Sequence, residues 1–354
     1  MINLARNQMK VGWKPFLSRW HLHGFMTIVF HPRFLDHKQW EGHPESPVRL
    51  VRAVDKMMEL WVWNEVVYPK PATIEDLQLV HTDRLINSVS ESSECYLDSD
   101  TYVHQDTFEI ALLAAGGTID AAKWAIDDRK QSVALVRPPG HHAGADFLGG
   151  FCYFNNVAIA IKKLGIRAAI VDIDVHHGNG TQSIFWDEDL LYMSTHQYGI
   201  FPGTGNVDDV GTGAGEGYTV NIPLDGGAGD TTFLLAYERI IRPVLEQYRP
   251  QMIIVDIGVD AHYMDPLASL NLSSPGYLEL CRRLMSLPAE AGCMFVLEGG
   301  YHLDATAEVM GGLVAMCQGV PARMKFYENR DEECCGLPNV ERAYQIQREY
   351  WDLE

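Results

Sequence analysis

No stretch of this sequence holds 18 consecutive apolar side chains, so a membrane-spanning helix is not expected. The first twenty residues carry Arg6, Lys10, Lys14 and Arg19 but lack a continuous apolar segment and a small-residue cleavage site, which argues against a secretory signal peptide. CxxC pairs are missing too. The cysteines (Cys95, Cys152, Cys281, Cys293, Cys317, Cys334, Cys335) are scattered and odd in number, which speaks against a disulfide framework and a thiolate zinc site. A cytoplasmic location is the expectation, with adjacent Cys334 and Cys335 read as a reduced pair. Cations are few: 28 Lys and Arg against 47 Asp and Glu give a formal net charge of −19. That balance argues against nucleic acid as a direct partner and suits a cationic one. HExxH, GxSxG and Walker sequences are absent, and the glycine-rich run Gly211–Gly217 lacks GxGxxG spacing and reads as a turn.

What is present is an alternation of short Val/Ile-rich runs with longer segments of helical period. The runs predict strands at Met26–Phe30, Ser132–Val136, Ala168–Ile173, Leu190–Ser194, Tyr218–Ile222, Met252–Ile257 and Met294–Leu297. Helices are predicted at Pro47–Leu60, Thr107–Ile126, Asn155–Leu164, Thr231–Gln247, Pro275–Met285 and Ala305–Cys317. Strands apolar throughout and separated by helices imply an α/β domain with a mainly parallel sheet covered on both faces. In such sheets ligands sit beyond the carboxyl ends of the strands. The unusual residues follow four of those ends: Arg137-Pro-Pro-Gly-His-His142, Asp174-Val-His-His-Gly-Asn-Gly180, Gly258-Val-Asp-Ala-His262 and Glu298-Gly-Gly-Tyr301.

Asp172, Asp174 and His176 alternate with Val171, Ile173 and Val175, so a continuing strand puts all three polar side chains on one face. Two carboxylates side by side at the end of an apolar strand need a cation or strong donors to stay ionised. A catalytic zinc takes three protein ligands and keeps a position open. Asp174 and His176 supply two; Asp260 is the best-placed third, with His262 competing. The tandem His141-His142 suits acid–base work at neutral pH, with Asp172 and Asn179 available as orienting partners. Tyr301 can donate a hydrogen bond to a developing oxyanion.

Together these segments, with His43-Pro-Glu-Ser-Pro-Val-Arg49, Gly149-Gly-Phe-Cys-Tyr-Phe-Asn-Asn156 and Phe201-Pro-Gly-Thr-Gly205, resemble the histone deacetylases and the related acetylpolyamine amidohydrolases and acetoin-utilisation proteins. HHGNG and LEGGY are closest to the class II and bacterial members. The resemblance implies an arginase–deacetylase fold, a single mainly parallel sheet of about eight strands flanked by helices. It divides the chain into an N-terminal extension, residues 1–25, and a catalytic domain, residues 26–354. It makes Asp174, His176 and Asp260 zinc ligands (iron(II) being an alternative in the cell), His142 the general base, His141 its electrostatic partner and Tyr301 the oxyanion donor. Phe151, Phe201 and Gly150 would line the acyl channel, and Arg49 would guard the acetate exit. A structural potassium ion would use Asp172, Asp174, His176, Ser194 and Thr195; a second would draw on Phe185, Glu188, Leu191 and Tyr218.

The implied substrate is acetyl-lysine in peptides or proteins. The runner-up is an acetylated polyamine, since Asp98 and Asp100 border the mouth, but Leu267 stands where the polyamine-selective relative places a glutamate. A dimanganese ureohydrolase would need an Asp two residues after the metal-binding His, where Gly178 and Asn179 follow. A non-catalytic acetyl-ligand-binding protein is a reading of another class, and a homo-oligomer is compatible with the sequence.

Overall fold

The computed structural model describes residues 26–331 and 335–353, so the extension read at 1–25 and Cys334 lie outside the described residues. Strands β1 (Thr27–Val29), β2 (Val66–Val67), β3 (Cys95–Tyr96), β4 (Tyr102–Val103), β5 (Ser132–Ala134), β6 (Ala168–Asp172), β7 (Leu191–Gln197), β8 (Thr219–Leu224), β9 (Met252–Ile257) and β10 (Met294–Leu297) follow in chain order. Eight of them form one sheet in the order β2-β1-β5-β10-β9-β6-β7-β8. Every neighbouring pair in it is parallel, so the expected mainly parallel sheet is wholly parallel. Strands β3 and β4 make a separate antiparallel ribbon. The expected arginase–deacetylase architecture, helices on both faces of a single sheet, is present. Residues on β6, β8, β9 and β10 are buried throughout, as strands covered on both faces must be.

All seven anticipated strands form. The eighth, β2, has two half-buried residues at the sheet edge, too few to show a period. The helix anticipated over Thr231–Gln247 is interrupted: α-helical Asp230–Ala236 passes into a π-turn at Tyr237–Ile241 and resumes at Arg242–Tyr248. Pro243 explains the break, because it lacks an N–H and its ring crowds the carbonyl four residues back. Short helices at Ile74–Leu77, Asp83–Ser90 and Asn179–Ile184, and one at Leu337–Gln347, were not anticipated. The first two had a signal in Thr73 and Thr82, whose hydroxyls accept the N–H groups of Asp76 and Leu85. Among the described residues no helix is long and apolar enough to cross a membrane.

The topology fixes where chemistry can occur. Strands β5, β10, β9 and β6 are adjacent at the centre of the sheet, so the four loops leaving their carboxyl ends share one rim. A buried ionic knot supports that rim from below. Glu45 accepts from Nε and Nη2 of Arg137, and from Nη1 of Arg49 at 3.1 Å. Arg137 also donates to the carbonyl of Phe34 at 2.7 Å. Burial alone would push the Glu45 carboxyl up, but Arg137 and Arg49 outweigh it and hold it far below the usual carboxylate range. Glu45→Ala strands two guanidinium groups in the interior and is expected to cost about 3–5 kcal/mol of unfolding free energy. Urea unfolding checks this; a loss below about 1 kcal/mol, the scale of an exposed pair, contradicts it. Because the folded carboxyl titrates below its ordinary value of 4.5, this contribution is present above that pH and fades as pH falls toward the folded pKa.

Candidate active site

Three ligand atoms from Asp174, His176 and Asp260 lie within 4.8 Å of one another. Asp174 and His176 follow β6 and Asp260 follows β9, and these strands are neighbours with Asp172 opposite Asp256. Nδ1 of His176 is 3.1 Å from Oδ1 of Asp174 and 3.2 Å from Oδ2 of Asp260. Oδ1 of Asp260 accepts the N–H of Val175 at 2.9 Å, whereas its buried Oδ2 has no hydrogen bond of acceptable geometry. Oδ2 of Asp174 accepts the N–H of Gly299 at 2.7 Å. Gly258 and Gly299 permit this crowding: a Cβ on the first would lie 1.9 Å from Oδ2 of Asp174, and on the second 2.0 Å from Oδ2 of Asp260. Two buried carboxylates and an imidazole converging through space cleared by glycines fit a divalent metal ion. His262, the competing ligand, points elsewhere; its Nε2 meets Oγ of Ser274 at 3.2 Å.

The histidine pair leaves β5 and packs ring to ring, centroids 4.0 Å apart. Its members have opposite electrostatic settings. Nδ1 of His141 faces Oδ2 of Asp172 at 3.2 Å, and the Tyr192 hydroxyl donates to the same oxygen at 3.0 Å. Burial opposes charge on His141, yet Asp174 and Asp172 outweigh it and raise its pKa well above the ordinary value. Nδ1 of His142 instead meets Oδ1 of Asn179 at 2.8 Å. Burial, then the neighbouring His141 and His176, lower its pKa well below the ordinary value. An amide oxygen accepts, so Nδ1 of His142 carries the proton and Nε2 keeps a free lone pair. The two imidazoles thus sit in unlike surroundings, one against a carboxylate and the other against an amide oxygen.

Tyr301 follows β10, held by its backbone: Oδ2 of Asp265 accepts the N–H groups of Tyr301 at 2.6 Å and His302 at 3.1 Å. Beneath it lies Arg49, its guanidinium 5.2 Å from the ring centroid, bonded to the carbonyls of Gly300 at 2.6 Å and Glu298 at 2.5 Å. Burial pushes the Tyr301 phenol well up, so at neutral pH it can donate a proton into a hydrogen bond.

Two phenyl rings flank the centre. Phe151 is edge-on to Tyr301 at 6.0 Å, and Phe201 is edge-on to His142 at 5.0 Å and His176 at 6.3 Å. Gly150 lets the wall close up, since a Cβ there would lie 2.4 Å from His142 and 2.9 Å from Phe201. Phe151 itself has φ of +69°, a strained value for a non-glycine residue that places its ring in the wall. At the rim, Oδ1 of Asp98 is occupied internally by the N–H groups of Asp100 at 3.0 Å and Thr101 at 2.6 Å. Asp98 lies against Gly149, where a Cβ would come within 2.7 Å of its Oδ2. Leu267 is exposed, its N–H bound to Oδ1 of Asp265 at 3.0 Å.

Of the residues proposed to hold potassium, Asp172 and Ser194 stand opposite each other on β6 and β7, and Thr195 is buried beside them. Oγ of Ser194 contacts Nδ1 of His196 at 2.9 Å. In the second set, Phe185 lies under the Lys162 ammonium, which also pairs with Glu188; Leu191 is buried and the carbonyl of Tyr218 accepts the N–H of Tyr192 at 2.9 Å. Sequence reasoning missed several contributors. Glu298 accepts the N–H groups of Gly140 at 2.8 Å and His141 at 3.2 Å; a charged residue directly after an apolar strand was the available signal. Tyr192 and Asp265 act across the fold and had none. Trp40 also escaped notice: it packs on His43 at 4.0 Å and Tyr96 at 5.7 Å, and His43 reaches Phe151 at 4.6 Å, extending the aromatic wall outward.

Known proteins resemble this chain in sequence and fold. The histone deacetylase domain model matches residues 43–317. The chain is 38% identical over 352 residues to a probable deacetylase of Archaeoglobus fulgidus, spanning 92% of this chain and 98% of the relative. It is 35% identical over 314 residues to the chloroplastic histone deacetylase 10 of Oryza sativa subsp. japonica, spanning 80% of this chain and 71% of that one. Among solved structures, the HDA15 HD domain superposes with a TM-score of 0.85 at 34% identity, covering 92% of this chain and 97% of that chain. The chain belongs to the histone deacetylase family, whose activity is the hydrolytic removal of acetyl groups.

Proposed function

We propose that this protein is a zinc-dependent deacetylase acting on acetyl-lysine in peptides or proteins, with residues 26–354 as its catalytic unit and the reducing cytoplasm as its location. The observation that carries the reading is the metal-type trio Asp174, His176 and Asp260 beside a histidine pair held by Asp172 and Asn179. Zinc bound there would lower the pKa of a coordinated water to about 7 and polarise the amide carbonyl. The protein's own groups do the rest. Nε2 of His142 takes the proton of the attacking water and passes it to the departing amine, while Asn179 holds the ring in the required tautomer. Positive charge on His141, maintained by Asp172, offsets the negative charge that develops on the tetrahedral carbon's oxygen. Tyr301 donates its hydroxyl to that oxygen. Phe151 and Phe201 exclude bulk water, and Arg49 provides the cationic surface past which acetate leaves. A potassium ion between β6 and β7, at Asp172, Ser194 and Thr195, would brace the strand that carries the ligands.

Leu267 offers no charge to a distal ammonium, and one oxygen of Asp98 is already committed to its own loop. Peptides are therefore the expected substrates. Side-by-side kcat/KM values for an acetyl-lysine peptide and N8-acetylspermidine test this. A preference for the polyamine of about tenfold, about 1.4 kcal/mol in transition-state binding, would overturn it and assign the ammonium to Asp98 and Asp100.

A further inference from the structure

Behind His141 a second group of donors converges. Sγ of Cys152, a carboxylate oxygen of Glu298 and a ring nitrogen of His141 all lie within 4.8 Å of one another. All three residues are buried, at 0%, 1% and 3% exposure. Cys152 is held by a two-way backbone bridge to Gly149, at 2.9 and 3.3 Å, so its position is fixed. Glu298 is lopsided: Oε2 takes two N–H groups, while buried Oε1 takes none. Sγ of Cys152 contacts the carbonyl of Gly150 at 3.5 Å and also interacts with the backbone of His142. A buried carboxylate oxygen without a donor is costly, and this one belongs to a carboxylate gathered with a thiol and an imidazole.

We propose that Cys152, Glu298 and His141 form a second, inhibitory binding site for a thiophilic divalent cation such as zinc. Sulfur, nitrogen and oxygen donors together are a borderline-soft set suited to zinc or cobalt. Bonds of about 2.0–2.3 Å require the donors to close by roughly 1 Å. Coordination replaces the thiol proton: the S–H bond breaks, a metal–sulfur bond forms and the proton leaves to solvent. Inhibition follows from the shared wall, because Nε2 of His141 is only 3.9 Å from Oδ1 of Asp174. An ion that claims the His141 ring takes that ring out of its place beside the trio. The site is the weaker of the two, since Asp172 already engages His141 and the thiol must give up a proton. The separation of positions 141, 152 and 298 leaves no metal-binding spacing in the sequence.

Cobalt(II) distinguishes the sites, because the trio contains no sulfur. Protein carrying one equivalent of cobalt should show no sulfur-to-metal charge-transfer absorption, and further cobalt should produce it. Cys152→Ser, which nearly preserves the volume, and Cys152→Ala should both abolish that band. Excess zinc should suppress hydrolysis by the unaltered protein, while both variants keep their one-equivalent activity in excess zinc. A band that persists in the variants belongs to another cysteine, and no band at all leaves a proton on Glu298 as the occupant; either result overturns the proposal. Equal inhibition of Cys152→Ser and the unaltered protein by excess zinc overturns it as well.

Discussion

Asp260→Ala is expected to abolish tight zinc binding and hydrolysis together. On the proposed reading Asp260 is the third ligand, and the other candidate read from the sequence, His262, is turned toward Ser274. Loss of a partner that merely orients a ligand typically costs about 10–100-fold in metal affinity or activity, so loss of the ligand itself should exceed that range. Asp174→Ala and His176→Ala should behave alike, for a site with three protein ligands cannot spare one. Metal analysis after dialysis, beside turnover of an acetyl-lysine peptide, provides the check. Stoichiometric zinc retained by Asp260→Ala would remove Asp260 from the ligand set.

The second large effect is expected at Tyr301. Tyr301→Phe deletes one hydroxyl and leaves the ring, so the contacts with Phe151 and Arg49 survive. An oxyanion donor acts chiefly in the transition state, and turnover should fall about 10²–10³-fold. KM should move little, because the ground-state carbonyl gains less from the bond than the oxyanion does. Zinc content should be unchanged, which separates this variant from the ligand variants. Turnover within about threefold of the unaltered protein would show that the phenol takes no part.

Much of the central sheet was legible because fully buried parallel strands read as continuous apolar runs, as β6 and β9 do. What lay at the edge was not: β2 is two residues long. The π-turn at Tyr237–Ile241 was also hidden, because a single proline inside a helical period does not say whether the helix ends or bulges. At the site, the alternation through Asp172, Asp174 and His176 pointed to Asp174 and His176, although β6 ends at Asp172 and both stand in the bend beyond it. Asp260 and His262 could not be separated that way. Their difference arises where His262 bridges to Leu272 and turns its ring away, a contact made by another part of the chain. Glu45 was equally silent, its partner Arg137 lying 92 positions on.

The carboxylate of Asp265 has two loads of opposite kind. One oxygen carries the N–H of exposed Leu267; the other carries the N–H of Tyr301. A rigid planar group with one end at the surface and the other at the centre works as a lever. Were Leu267 displaced, the same carboxylate would carry the shift to the backbone N–H of Tyr301.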